Sequence, residues 1–317
     1  MGLANACSRE TGDGEMLTAE AYSDEWNDPS INLDTNTRVA VLPDGTVGGC
    51  VEVWSSAPFV SHWVWGRVHP ELRGQGIGSA LMAWAEARTR ETIAQAPEGA
   101  RVVIDTASAS GHQPTIDLML DRGFAQVRGS LRMARPLDGA LPMPKWPAGT
   151  ELRPMRDKHH RALYHAIDEA WRDHWGYVAA PEEEGFATWM YRQTQRTEYD
   201  PTLWLVAWDG EQIAGAVLCY ASYSGDPSYG WVSRLAVRRA WRKRGMGEAL
   251  LYAGFAALQS RGCTQVGLGV DAQSLTGATR LYEKVGLRTV HSMVAFEKEI
   301  RPGHDLSTQD LAASGEQ

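Results

Sequence analysis

Cysteine is scarce in this sequence. Four residues in 317, Cys7, Cys50, Cys219 and Cys263, stand far apart with no Cys-x-x-Cys pair. That excludes a zinc-ribbon or thioredoxin-type motif and fits free thiols in a reducing cytoplasm, the compartment expected here. Long apolar runs are also missing: none reaches the ~20 residues a membrane-spanning helix needs. The amino terminus has no basic-then-apolar leader and carries Glu10, Asp13 and Glu15 early. Met1-Gly2 looks like a myristoylation start only as far as Ala6, where Ser or Thr is required. Positive charge is in deficit, with 31 Lys and Arg against 39 Asp and Glu for a net charge of −8. This balance argues against nucleic acid or an anionic membrane as partner. Metal-ligand spacing is absent as well, since His159 and His160 are adjacent and point different ways, so no metal is expected.

What remains is the composition of a soluble globular protein, 43% hydrophobic and 22% charged, at a length that suggests two domains. The most informative stretch runs from Leu235 to Gly247. An apolar strand, Leu235-Ala236-Val237, leads through Arg238 to Trp241 into Arg242-Lys243-Arg244-Gly245-Met246-Gly247. A helix follows, with Leu250, Leu251, Phe255 and Leu258 on one face and Gly262 as its stop. The first turn of a helix offers free N–H groups and a positive dipole end, and glycines let a phosphate approach that backbone. On an acidic protein, the local cluster Arg242, Lys243 and Arg244 reads as steering for a diphosphate.

A second copy lies earlier, from Val68 through Arg73-Gly74-Gln75-Gly76-Ile77-Gly78 into another helix. The two share Arg-x-x-Gly-x-Gly at an offset of 242 − 73 = 169 residues. Asp44-Gly45 and Asp209-Gly210 repeat at 209 − 44 = 165, and Gly123 and Gly286 at 286 − 123 = 163. Such drift is that of a duplicated domain with small changes between copies.

The pattern places helices over 3–8 and 17–26, strands over 38–42, 47–54 and 61–68, a helix over 77–94, a strand over 101–107, a helix over 112–122 and a strand pair over 124–134. The second copy reads as a strand over 151–155, helices over 158–173 and 181–196, and strands over 203–208, 212–220 and 231–237. The helix from 246, a strand over 265–271, a helix over 276–285 and closing strands over 288–299 complete it. Each copy is an α/β unit around a mixed sheet. Pro136, Pro142, Pro144 and Pro147 with Gly139 and Gly149 mark 137–150 as a semi-rigid linker. The domains are therefore expected at 1–136 and 151–301, with a polar, mobile tail at 302–317. The first copy starts too late for an opening strand. Its sheet is one strand short, or the tail or the other copy supplies the strand.

Both turns resemble the acyl-CoA signature Gln/Arg-x-x-Gly-x-Gly/Ala of the GNAT superfamily of N-acyltransferases, and the resemblance covers nearly the whole chain. Neither ends in the Gly-Lys-Ser/Thr that a nucleoside triphosphate would want. The resemblance implies tandem GNAT lobes, similar in architecture to the mycothiol synthase type. It implies an acyl-CoA co-substrate, most simply acetyl-CoA, held by Arg242 to Gly247 with its pantetheine along Leu235 to Val237. It also implies a small-molecule amine as acceptor, attacked directly, in a monomer or homodimer.

GNAT enzymes commonly carry a tyrosine that protonates the departing thiolate. Here that position is Tyr282, four residues before Gly286, and its counterpart before Gly123 is Met119, which has no proton to give. The second lobe is therefore expected to be catalytic and the first degenerate, although the first turn keeps its signature residues. Tyr282 also fits a buried helix face with Ala278, Leu281 and Val285. The carboxylate base common in relatives is missing: Trp231, Val232, Ser233 and Arg234 occupy its strand. Ser233 is a candidate to pass a proton through water. His174, in the loop that borders the acceptor pocket in relatives, is a further candidate, and neighbouring Asp173 one for attracting a cationic amine. The alternatives are a non-catalytic acyl-CoA sensor and an interaction scaffold with two vestigial turns.

Overall fold

A computed structural model describes residues 1–12, 16, 18–28 and 31–311. In chain order the helices and strands are α1 (Gly2–Thr11), α2 (Ala19–Trp26), α3 (Leu33–Asn36), β1 (Thr37–Val41), β2 (Val47–Ser55), β3 (Ser61–Val68), α4 (Ile77–Thr92), β4 (Val102–Ala109), α5 (Gln113–Asp121) and β5 (Ala125–Pro136). The second half follows as β6 (Thr150–Arg153), α6 (His160–Trp171), α7 (Glu182–Thr194), β7 (Trp204–Asp209), β8 (Gln212–Tyr220), β9 (Tyr229–Val237), α8 (Met246–Ser260), β10 (Gln265–Asp271), α9 (Ala278–Lys284) and β11 (Arg288–Arg301). The mixed α/β reading holds. Thr18 caps α2 by accepting from the Ala21 N–H, while Leu17, expected as its first residue, lies outside the described residues. The expected strand pairs at 124–134 and 288–299 are each one long strand.

The chain divides into two compact units, and both are discontinuous. Unit 1 comprises Met1–Ser130, Ala180–Thr188 and His291–Leu306; unit 2 comprises Leu131–Ala179, Trp189–Val290 and Ser307–Gln317. The strand order is β1-β2-β3-β4-β11 in unit 1 and β5-β10-β9-β8-β7-β6 in unit 2, β5 belonging to unit 2 from Leu131 and β11 to unit 1 from His291. The last strand of the second sequence repeat thus closes the sheet of unit 1, antiparallel to β4 from Met293 opposite Ala109 to Arg301 opposite Val102. Charge pins it there: Arg101 pairs with Glu297, Glu299 and Asp305, and Lys298 with the buried Glu86.

Unit 1 is one strand short. Among the described residues nothing pairs with the outer edge of β1, and Val39 and Val41 stay exposed there. In unit 2, β6 fills that place against β7. The proline-rich stretch 137–150 is not a free linker. Leu137 is buried and donates to Thr264 O, Gln259 Nε2 donates to Leu137 O, and Leu141 and Trp146 pack on the core of unit 2. The tail is tied down as far as it is described. The His304 N–H bonds Gly99 O, and Thr308 Oγ1 donates to Arg172 O; residues 312–317 lie outside the described set.

One face of the unit 2 sheet packs on α8, through Val217, Val232, Leu250, Phe255, Leu258 and Val266. The opposite face packs on α6, through Leu163, Ile167, Trp204, Leu218 and Ala236. In unit 1, Val51, Val53, Val64, Leu81, Met82 and Ile104 form the corresponding α4 side. Each signature turn therefore lies where a central strand gives way to the helix covering one face of its sheet.

Candidate active site

Two left-handed residues shape the second turn: Lys243 at φ +61° and Gly245 at φ +87°. Their counterparts are Gly74 at φ +74° and Gly76 at φ +83°, so both turns share one backbone path. Among the described residues no acceptor takes the N–H of residues 243–248, or of residues 74–79. A Cβ built on Gly245 or Gly76 would meet nothing within 4 Å. An open row of amides at a helix start is the kind of nest that can receive a diphosphate.

The last glycine of the signature does a different job. A Cβ on Gly247 would lie 2.9 Å from Leu281 Cδ2, and one on Gly78 would lie 3.1 Å from Leu118 Cδ2. These glycines let the helix start pack against α9 and α5, so only their amides are available to a cofactor. Met246 is buried in the core and likewise offers only its amide. The same holds for Leu235, Ala236 and Val237, whose side chains pack on the two faces of the sheet.

The signature arginine points inward. Arg242 Nε donates to Val237 O at 2.9 Å, Nη2 donates to Ala170 O, and Nη1 pairs with Asp173. Asp173, only 2% exposed, also holds Arg239. The expectation that Asp173 attracts a cationic amine is corrected, because its charge is committed to these two guanidiniums. Arg73 is braced in the same way, by Glu10 of α1 and by His112 Nε2 at 2.8 Å. The charge left for a ligand is on Lys243 and Arg244, both exposed and, among the described residues, without a carboxylate partner. Unit 1 has uncharged Gly74 and Gln75 there.

Beyond the nest the sheet splits. β9 pairs with β10 in parallel only at residues 229–231 and 265–267, although the strands run on to Val237 and Asp271. β3 and β4 separate in the same way after Trp63 and Asp105. Each pair of central strands is thus left unpaired toward its turn.

One difference lies inside the slot. On β9, Leu218 of β8 faces Arg234 and Cys219 faces Val232, so Ser233 is an extra residue, a β-bulge. Before it, Gly230 and Val232 face α8; after it, Leu235 and Val237 do. The Ser233 hydroxyl donates to Leu218 O at 3.0 Å and holds the bulge. β3 pairs with β2 residue for residue from His62 to Val68, with no such interruption.

Tyr282 stands on α9 within the core of unit 2, 8% exposed, and its hydroxyl has no hydrogen-bond partner among the described residues. Burial alone pushes its pKa up to about 12. The gap to a thiol near ~8.5 is wider than the ordinary phenol value near ~10 suggests, so the group starts as a neutral hydrogen-bond donor. Met119 occupies the matching place in unit 1, buried and without a proton. His174 stacks on Trp171 at 4.6 Å, and its N–H bonds the Trp171 carbonyl. Burial, helped by the nearby Arg242 charge, pulls the His174 pKa down.

A backbone nest at the mouth of a slot between parallel strands is the geometry of a protein that handles an acyl group on a phosphorylated carrier. That defines the class as an acyl-CoA-using transferase. The pattern of the Acetyltransferase (GNAT) family matches residues 7–124 and 161–287, one match for each repeat. The chain belongs to that family, as a tandem member and an N-acetyltransferase with an acyl-CoA co-substrate. A mycothiol acetyltransferase of Thermobispora bispora is 32% identical over 231 residues, covering 69% of this chain and 70% of its own. The Salinispora arenicola protein of the same name is 30% identical over 80% of this chain and 79% of its own. The GCN5-related N-acetyltransferase from Sphaerobacter thermophilus superposes with a TM-score of 0.81 at 34% identity, over 97% of this chain and 94% of that one. A tandem GNAT protein from the clavulanic acid biosynthesis pathway gives 0.68 over 94% and 93%, a likeness of fold at 17% identity.

Proposed function

We propose that this chain transfers the acetyl group of acetyl-CoA to a small-molecule amine by direct attack, and that unit 2 performs the reaction. The observation that carries the lobe assignment is the pairing of Lys243 and Arg244 with a bulged β9, where unit 1 has Gly74, Gln75 and an unbroken β3. The amides of residues 243–248 and the two free cations bind the diphosphate. The backbone of Leu235 to Val237 guides the pantetheine into the slot. The amine forms the new C–N bond as the C–S bond breaks, and its surplus proton passes to solvent. The Tyr282 hydroxyl faces the departing sulfur, stabilises it by hydrogen bonding and then protonates it. The mycothiol acetyltransferase relatives support a small molecule as the acceptor class. No side chain is acylated on the way.

Exchanging the charges between the two nests tests this. Lys243→Gly with Arg244→Gln is expected to raise the KM for acetyl-CoA by at least about tenfold, for two lost phosphate contacts. Gly74→Gln with Gln75→Ala should leave the KM unchanged. The opposite pattern would move the reaction to unit 1. Tight acetyl-CoA binding with no thiol release for any amine would make the protein a sensor.

A further inference from the structure

The α6 face of β9 carries a charge that the acyl-CoA reading does not use. Arg234 follows the bulge directly. Because of the bulge it shares the face of Ala236, toward α6, instead of continuing the alternation that set Val232 toward α8. Its guanidinium lies 4.8 Å from the centre of the Trp171 ring, and Nη1 donates to Ser233 O at 2.7 Å. Among the described residues no carboxylate pairs with it. Three arginines further along the chain, in the turn after β9, do have such partners: Arg238 holds Glu169, and Arg239 and Arg242 hold Asp173.

The surroundings make this lone cation more costly. Arg196, with its guanidinium 5.6 Å from the Tyr220 ring centre, and Arg192 add like charge, and burial together with these two disfavours the charged form of Arg234. A guanidinium stays protonated under such conditions, so its field must be answered from outside the protein or be left as a standing cost. The floor around it is aromatic, with Trp171 bearing His174 and with Tyr220, whose hydroxyl donates to Gln193 Oε1 at 3.1 Å. A planar anion on a small organic body matches this combination of a forked donor and ring faces.

We propose that Arg234 is an acceptor-binding residue, and that the amine substrate of unit 2 carries a carboxylate that this guanidinium receives. The inference rests on the reading of unit 2 as the reacting lobe and narrows its substrate from amines in general to amines that also bear a negative group. Arg234 sits one residue past the bulge. A carboxylate bonded there holds the rest of the molecule beside the opened part of the slot, on the face opposite α8.

Matched pairs of probes test it: several L-α-amino acids against their carboxamides, added to the protein saturated with CoA and followed by calorimetry. The binding readout does not depend on turnover. The carboxylates are expected to bind about 10–100-fold more tightly than their amides, the effect of a hydrogen bond between charged groups. Arg234→Gln should abolish that preference while the affinity for CoA is unchanged, and Arg234→Lys should retain part of it. Equal binding of acids and amides, or a preference that survives Arg234→Gln, overturns the proposal. Loss of CoA binding from the Lys243→Gly, Arg244→Gln protein bears separately on the parent reading. If that protein still binds CoA normally while the acid preference stands, the lobe assignment fails and the anion site does not.

Discussion

The strands that enter the two nests differ by one residue: β3 has eight and β9 has nine. The backbone of the turns that follow them is closely matched. Both turns pass through two left-handed residues, both leave a row of amides open, and both arginines are braced by an acid, Glu10 of α1 for Arg73 and Asp173, just past α6, for Arg242. Both glycines at the third signature position accommodate a leucine from the next helix. The duplicated frame alone thus supplies the shape of an acyl-CoA site. The features on which the proposed reaction rests stand on one side only: a bulge in the strand, two cations without a carboxylate partner among the described residues, and a phenol. A bulge beside a reacting centre is a common way to redirect side chains without altering the fold.

The largest expected effect tests whether the phenol belongs with these additions. Tyr282→Phe removes one oxygen and keeps the ring that fills the core, so the fold should survive. Turnover is expected to drop by about 10²–10⁴, the usual contribution of a general acid, while the CoA dissociation constant stays within about twofold. In steady-state assays Met119→Leu, the volume-conserving change at the matching place, should keep wild-type turnover. Comparable rates for Tyr282→Phe and wild type would mean that the tyrosine only packs. The raised pKa also fixes a sign: the phenol is protonated throughout the neutral range, so the proton donor should not limit activity as pH rises through 8 or 9.

A smaller effect should separate the units by stability. His62 of β3 is 0% exposed; its Nε2–H donates to Phe59 O and its Nδ1 accepts from the Ser55 hydroxyl. Burial pulls its pKa down to about 4. A histidine kept neutral by the fold binds its proton more readily when unfolded. Its contribution is therefore complete above the ordinary value near ~6.5 and is lost as pH falls from there to about 4, an effect of about 3 kcal/mol. The matching residue of β9 is Gly230, which cannot titrate. Urea titrations between pH 7 and pH 4 should show unit 1 losing stability over that window, with a shallower slope in His62→Gln. An equal slope in the variant would place the acid sensitivity elsewhere.

Much of this was legible in the sequence. The nests, their helices and the absent phenol in the first repeat follow from short motifs in which glycine, arginine and tyrosine have few other uses. The bulge left a trace as well. β8 sits at an offset of 212 − 47 = 165 from β2, β9 begins at 229 − 61 = 168 from β3, and the nests stand at 169. The last step of one residue is Ser233, but an insertion of one looks like any loop change until the pairing is known. The closing strand β11 could not be assigned to unit 1, because its alternation suits either sheet and its ion-pair partners Arg101 and Glu86 lie 198 and 212 residues away in the chain. The role of Asp173 is hidden in the sequence for a similar reason: an acid near a pocket and an acid bracing two arginines look alike before their partners are placed. Residues 137–150 read as a spacer because proline excludes helix and ladder, yet proline does not prevent a segment from lying flat on a core, as Leu137, Leu141 and Trp146 do.

The smallest predicted change separates the two roles open to Ser233. As a relay, its hydroxyl would carry a proton between amine and water. As a structural element, it would only fasten the extra residue of β9 to Leu218 of β8. The geometry favours the second role, since the hydroxyl proton already points at a carbonyl. Ser233→Ala removes one hydrogen bond worth about 1 kcal/mol and leaves the inserted residue in the strand. The bulge should persist, because the side chains of Val232 and Leu235 that flank it are buried toward the same α8 core and a slipped register would turn one of them outward. Turnover is then expected to remain within about threefold of wild type, with a slightly lower unfolding midpoint, since well under ~1.4 kcal/mol of reaction barrier is at stake. A hundredfold loss in kcat at unchanged stability would instead give the hydroxyl a part in the chemistry, and the contrast between β3 and β9 would then include a proton path as well as a kink.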